Sequence, residues 1–309
     1  VIYLPLLKKF DLSAIKELRR IIIKGGFEIM YVTYGKAITT SLFAVRGLKI
    51  KIVGYIGSLN VHWHDPTAYL SFLNPRIDIM VCLSNAVKDH FVKQQILTGK
   101  RDKCRVIYKG YDPAWIKVSK KISRENLGIP EDAMVVCCIA QVRRIKGIPY
   151  LIKAAGILQE DLPAYYILIG QGMDSDQIKR LIRETGRREK FRVFGFTNDV
   201  FSYIDLCDLY IQPSITEGLG RSIIEAMCLK KPVIVTDSGG TRDLVENGIN
   251  GFIIPVKSPE AIAEKISWCY RNRSKLTEMG EKSHAIVNKK LSPATTVEQT
   301  YNLFKELLG

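Results

Sequence analysis

Short apolar runs alternate with stretches whose apolar residues recur every three or four positions, and the alternation persists along the whole chain. In the first half, runs rich in Val, Ile and Tyr at 28–32, 51–55, 79–83 and 105–108 predict strands. Between them, 13–24, 36–46 and 85–96 carry the helical spacing. In the second half strands are predicted at 134–140, 166–169, 192–194, 209–212, 233–236 and 252–254, and helices at 148–159, 176–186, 222–230 and 259–271. Strands separated by helices imply βαβ units and parallel sheets. The run M-V-V-C-C-I-A at 134–140 is apolar at every position, as a central strand covered on both faces is. In open parallel sheets ligands sit at the carboxyl ends of the strands, so the loops leading into helix starts are where chemistry is expected.

The polar stretch 117–132, with its charges, Gly128 and Pro130, reads as a hinge. The chain then divides into an α/β domain over 1–120, a second over 121–290, and a carboxy-terminal helix in 291–309 expected to pack back on the first domain. A length of 309 residues suits two domains. With 47% hydrophobic and 25% charged residues the chain is a folded, globular one, not a disordered one. No apolar run reaches the roughly 20 residues of a membrane span. Residues 1–7 meet Lys8 and Lys9 at once and show no cleavage pattern, which argues against a secretory signal. The seven cysteines form no C-x-x-C pair, so no zinc site or disulfide framework is expected and a reduced cytoplasmic compartment is favoured.

Charge is uneven. Residues 1–125 carry 22 Lys/Arg against 9 Asp/Glu, whereas 126–309 carry 24 against 22. The first half is therefore expected to meet something anionic. Its first helix places Ile15, Leu18 and Ile22 on one face with Lys16, Arg19, Arg20 and Lys24 around it, behind Leu4, Leu6, Leu7, Lys8, Lys9 and Phe10. That pattern suits peripheral contact with an anionic membrane face, and equally a helix packed on its own sheet with its cations in water.

Candidate chemistry concentrates in 208–250. After a strand ending at Pro213 come Glu217, Gly218, Leu219 and Gly220, with a helix starting near Arg221 and Glu225 in its first turns. Free N–H groups at 218–222 and the helix dipole form an anion cradle suited to a diphosphate. On its own, a carboxylate near a helix start is only a favourable dipole partner.

Three ordered blocks add to that reading. P-S-x-x-E-G-L-G-x-x-x-x-E-A-M spans 213–227, P-V-I-x-T-x-x-G-G-x-x-D-L-V spans 232–245, and N-G-x-x-G-F spans 247–252. With I-K-G-I at 145–148, I-L-I-G-Q-G at 167–172 and V-F-G-F-T-N-D-V at 193–200, the chain closely resembles glycosyltransferase family 4, over about 75–280. The resemblance implies the GT-B fold, with two Rossmann-like parallel-sheet domains facing a cleft, and retaining transfer from a nucleotide sugar, UDP- or GDP-linked, without a further cofactor. It implies donor-sugar contacts for Glu217, phosphate contacts for Gly218, Leu219, Gly220 and Arg221, and ribose contacts for Glu225. Lys146 would neutralise the diphosphate and the leaving group, Gly170 and Gly172 would leave room for the nucleotide, and the backbone around Phe194 and Thr197 would meet the base. An internal-return mechanism, with the leaving phosphate as base, follows from the same resemblance. The acceptor implied is a glycan or lipid-linked one of cell-envelope polysaccharide, lipopolysaccharide or glycolipid type, and no nucleic acid is implied.

The chain departs from the pattern in places. Gln141 stands where the family often has Arg, and Arg143 or Arg144 is the candidate replacement. Residues 1–24 lack the family's opening strand and Gly-rich loop, so the amino-terminal domain is expected to be incomplete. In H-W-H-D-P at 62–66, His62 or His64 is a candidate acceptor-side residue, with loop hydrogen bonding the plainer role. The chain is read as containing no Asp-x-Asp motif anywhere, so a metal-bridged diphosphate is not expected. Two other classes stay open at this point: a non-catalytic nucleotide-sugar-binding module or truncated remnant, and a GT-B-like epimerase, which would need paired acid/base carboxylates.

Overall fold

The computed structural model describes residues 2–6, 10–96, 103–159 and 162–309. They form two compact units, one made of 1–109 with 294–309 and the other of 110–293. Both are α/β units built on parallel sheets, the two-domain fold class expected.

In the first unit the strands β1 (Ile29–Val32), β2 (Lys51–Ile56), β3 (Ile79–Cys82) and β4 (Cys104–Val106) pair in that order, all parallel. Helix α1 (Leu12–Gly25) precedes β1, α2 (Gly35–Ala44) joins β1 to β2, and α3 (Asn85–Gln94) joins β3 to β4. Ser84 caps α3 by accepting from the Val87 amide at 3.2 Å. Ile22 is buried, and Ile15 and Leu18 pack on the same core. The apolar stripe of α1 therefore faces the core of this unit, packed on α2, and is not available to lipid. Leu12, Ile23 and Phe27 are the apolar residues that α1 and its end expose. Leu7, Lys8 and Lys9, the other part of that expectation, lie outside the described residues. The last helix, α10 (Pro293–Leu308), buries Leu303 against Val53, Ile79, Val81 and Ile107 of the first unit's sheet region.

The second unit holds β5 (Met134–Ile139), β6 (Ala164–Ile169), β7 (Phe191–Phe194), β8 (Leu209–Gln212), β9 (Val233–Thr236) and β10 (Gly251–Ile254). Their order is β10-β9-β8-β5-β6-β7, every pair parallel. Its helices are α4 (Ile148–Ile157), α5 (Asp176–Glu184), α6 (Val200–Leu206), α7 (Arg221–Cys228), α8 (Pro259–Arg271) and α9 (Arg273–Lys290). Residues 134–138 are wholly buried, as expected for a strand with neighbours on both sides and layers on both faces. The stretch expected as a hinge, 117–132, is fastened to this unit. Arg124 grips the Asp208 carboxylate at 2.9 and 3.0 Å, the Lys120 amide donates to Ser202 at 3.2 Å, and the Arg192 guanidinium donates to the Gly128 carbonyl at 2.6 Å. The passage from the first unit to the second falls instead between Lys109 and Gly110.

Strand order reverses between β5 and β8. One half winds outward through β6 and β7, the other through β9 and β10. Outside the carboxyl ends of β5 and β8 the connections part in opposite directions and leave a crevice, the usual ligand site of a doubly wound sheet.

Candidate functional site

The loops after β5 and β8 meet at that crevice. The Ile145 carbonyl accepts from the amides of Ile215 (2.7 Å) and Thr216 (3.4 Å), locking one loop to the other. Gly147, at φ +66°, lies so close to the β8 loop that a Cβ there would stand 1.9 Å from the Pro213 carbonyl oxygen. The brace brings Lys146 Nζ to 2.6 Å from Glu217 Oε2, an ion pair with both side chains largely shielded from water. Glu217 is held on its other sides as well. Ser214 Oγ donates to Oε2 at 3.0 Å, the Glu217 amide donates to the Ser238 carbonyl at 2.7 Å, and the Gly240 amide donates to the Glu217 carbonyl at 3.0 Å.

Behind Ser214 the chain of hydrogen bonds runs into the sheet. Gln212 Nε2 donates to Ser214 Oγ at 3.0 Å, while Gln212 Oε1 accepts from Tyr210 (2.9 Å) and Ser222 (3.1 Å). Tyr210, Gln212 and Ser214 are all buried. A polar string of this kind is tolerated inside a parallel sheet only when its members satisfy one another. Ser238 Oγ, buried beside Glu217, has no partner among the described residues.

Helix α7 begins at Arg221 with Gly220 as its N-cap, and Gly220 brings no side chain to cap it. The first turn's amides thus keep their partial positive charge for an anion. One turn along, Glu225 is 6% exposed and its Oε1 accepts from Arg221 Nε and from the Tyr111 hydroxyl, each at 2.9 Å. Burial, then the Glu225 carboxylate, pushes the Tyr111 phenol up to about 12. Tyr111 is accordingly a fixed donor at ordinary pH.

The remaining second-unit candidates sit at the same carboxyl edge. Gly170 and Gly172 occupy the loop after β6, and Leu219 is buried beneath the start of α7. Phe194, half-buried, ends β7 with its ring 4.8 Å from that of Tyr203, and Thr197 stands in the loop that follows. Arg143 and Arg144 are exposed beside Lys146. Gln141 donates to the Gln171 side chain at 2.8 Å, which ties the β5 loop to the β6 loop. His62 belongs to the first unit, in an exposed loop where its ring stacks on His64 at 5.3 Å and meets His90 edge-on at 5.5 Å.

Several groups escape a reading of the sequence. Tyr111 lies 114 positions from Glu225, and nothing local marks it as that carboxylate's partner. Phe196, 76% exposed at the end of β7, is an apolar face in water that only the structure reveals. The expectation about metals also passed over a pair: Asp174-Ser175-Asp176 is an Asp-x-Asp. Asp174 is an exposed loop residue next to Gly195, and Asp176 opens α5. Among the described residues no group of three His, Cys, Asp or Glu side chains is arranged to hold a metal ion.

Comparison with known proteins gives a consistent picture. The chain is 28% identical over 211 residues to the O-antigen biosynthesis glycosyltransferase WclY of Escherichia coli, covering 67% of this chain and 58% of that one. It is 28% identical over 164 residues to the lipopolysaccharide core biosynthesis glycosyltransferase LpsE of Rhizobium meliloti, covering 53% and 47%. The chain thus spans between about half and three fifths of the length of these curated relatives. Its fold matches the crystal structure of Anabaena Alr3699/HepE in complex with UDP, with TM-score 0.83, 23% identity and coverage of 95% of this chain and 82% of that one. The model of the family described as glycosyl transferases group 1 matches residues 119–285, which take in Lys146, Glu217, Glu225 and every loop of the crevice, and the chain belongs to that family.

Proposed function

We propose that this chain is a glycosyltransferase that moves a sugar from a nucleotide-sugar donor, with retention of anomeric configuration, to a cell-envelope polysaccharide, lipopolysaccharide or glycolipid acceptor. The observation that carries the reading is the Lys146–Glu217 pair, set in the crevice where strand order reverses, beside the uncapped start of α7. An incoming diphosphate competes with Glu217 for Lys146. Once it wins, the carboxylate is released toward the hydroxyls of the donor sugar, with Ser214 still holding it in place. Glu225, its Oε1 already fixed by Tyr111 and Arg221, offers its other oxygen to the ribose.

In the transfer step the bond between the anomeric carbon and the diphosphate oxygen breaks, and the electron pair stays with the leaving nucleoside diphosphate. Lys146, Arg143 and the α7 amides meet the charge that grows there, the place where preorganised donors stabilise a transition state most. The acceptor hydroxyl bonds to the anomeric carbon on the same face, and its proton passes to the leaving phosphate. The cations beside the crevice fill the place a bridging metal would take. HepE's complexes with UDP and with UDP-glucose support a uridine nucleotide as the first donor to try, with GDP-sugars as the second. The names of WclY and LpsE support an envelope-glycan acceptor. All seven cysteines are free and buried, which fits work in a reducing compartment, at the cytoplasmic side of the membrane. Calorimetric titration with a panel of UDP- and GDP-sugars, followed by assay of donor hydrolysis, tests the reading. It requires binding of at least one member, and failure of the whole panel overturns it.

A further inference from the structure

A cavity of the first unit is lined by none of the candidate donor residues. It holds about 560 Å³ at the carboxyl ends of β1, β2 and β4, with α10 as a further wall, and this is within the range of small-molecule pockets. Its lining is aromatic and hydroxylated: Tyr31, Tyr34, Tyr55 and Tyr108, with Ser58 between strand ends. Tyr34 is 76% exposed and offers its ring to a ligand, whereas the Tyr31 ring, 40% exposed, also meets Tyr55 at 6.4 Å and Phe304 at 6.1 Å. Tyr108 is held from two sides, accepting from Asn85 at its hydroxyl (3.1 Å) and from Thr296 at its carbonyl (2.9 Å). Burial pushes the Tyr55 phenol up to about 12, so it is a neutral hydrogen-bonding group. The charge is one-sided: Lys109 lines the pocket, no acidic side chain does, and Lys109 forms no ion pair among the described residues.

Flat aromatic faces pack against the apolar C–H face of a pyranose, and phenolic hydroxyls exchange hydrogen bonds with its rim. A single uncommitted ammonium adds selectivity for an anionic substituent. We propose that this pocket binds the terminal sugar of an acidic glycan, the ring against the tyrosines and a carboxylate or phosphate on Lys109. Calling that glycan the acceptor rests on the transferase reading; the binding itself does not.

The test titrates the whole 309-residue chain with three probes: a disaccharide ending in glucuronate, its neutral counterpart ending in glucose, and glucose 6-phosphate. The wild type should bind the acidic disaccharide about five-fold more tightly than the neutral one, the scale of one solvent-accessible ion pair. Lys109→Ala should remove that preference and Lys109→Arg keep it. Tyr34→Ala should weaken both disaccharides alike. Tighter binding of glucose 6-phosphate than of the glucuronate probe identifies the anion as phosphate, and the reverse identifies it as carboxylate. UDP titration of each variant is the internal control, because unchanged UDP affinity shows that the chain has folded. Equal affinity for acidic and neutral disaccharides, or no effect of either Lys109→Ala or Tyr34→Ala, overturns the proposal. Glycan binding without UDP binding upholds the pocket and removes the donor reading instead.

Discussion

Lys146 and Glu217 satisfy each other in the crevice, and on the proposed reading the diphosphate has to come between them. Lys146→Ala should therefore lower UDP affinity by roughly ten-fold or more, the worth of a charge-assisted hydrogen bond, while leaving uridine affinity unchanged. Calorimetry with both ligands checks it, and an equal loss for the two would make Lys146 a structural charge. Glu217→Gln should behave in the opposite way. It frees Lys146, so UDP affinity should hold or rise while turnover falls. Glu225→Ala should weaken nucleotide-sugar binding by about 1–3 kcal/mol, because the ribose then loses a buried acceptor. These acids and the lysine are legible in the sequence, since each stands at a fixed place in an ordered block. Their partners are not. Tyr111 reaches the site through the fold, from a segment whose local pattern says only loop, and nothing in the 232–245 block marks the Ser238 carbonyl as the acceptor of the Glu217 amide.

At the scale of elements, the period of apolar residues located every strand and placed most helix starts within a residue or two. The strands at 209–212 and 233–236 and the helix at 259–271 have the predicted bounds. Helices α6 and α9 went unpredicted, for separate reasons. The first is a seven-residue piece, V-F-S-Y-I-D-L, whose aromatic and β-branched residues resemble a strand. The second is mostly polar and contains Gly280, yet that glycine is what lets it approach α7, for a Cβ there would lie 1.9 Å from the Lys230 carbonyl. The junction of the β5 and β8 loops depends on a similar approach. Gly147→Ala should cost about 3 kcal/mol in urea unfolding, since it combines a left-handed backbone with a collision against the backbone at Pro213. A variant as stable as the wild type would show that the two loops are not braced there.

For the molecule as a whole, the charge excess of residues 1–125 outlasts the loss of the α1 stripe as a lipid contact. Arg19 is spent on the carbonyls of Ala44 and Arg46 and Arg20 pairs with Glu17, which leaves Lys16 and Lys24 as the uncommitted cations among the described residues of that helix. Binding to phosphatidylglycerol vesicles should consequently be salt-sensitive and driven by charge, at about 1 kcal/mol per basic residue near the surface. Co-sedimentation indifferent to lipid charge and to salt would remove the membrane from the picture. Among the described residues no helix is long and apolar enough to cross a bilayer. On the proposed reading, with Lys146, Arg143 and the α7 amides facing the diphosphate, turnover should survive EDTA; activity lost to EDTA and restored by Mg²⁺ would overturn that cationic clamp. Stability should fall above about pH 9, the ordinary thiol value, because burial keeps the Cys138, Cys228 and Cys269 thiols neutral up to about 12, and more steeply above about pH 10, the ordinary phenol value. There the unfolded chain ionises phenols that Tyr55 and Tyr111 retain as neutral up to about 12.

The string from Tyr210 through Gln212 and Ser214 to Glu217 places the anchor of the reacting edge inside the sheet, out of reach of any ligand. Variation in this protein is then partitioned by depth. On the proposed reading, exchanges in the outward loops should change which sugar is admitted, while a silent-looking exchange such as Tyr210→Phe should loosen the Glu217 carboxylate from within the sheet. Divergence of donor choice and loss of activity would accordingly arise from different layers of the same unit.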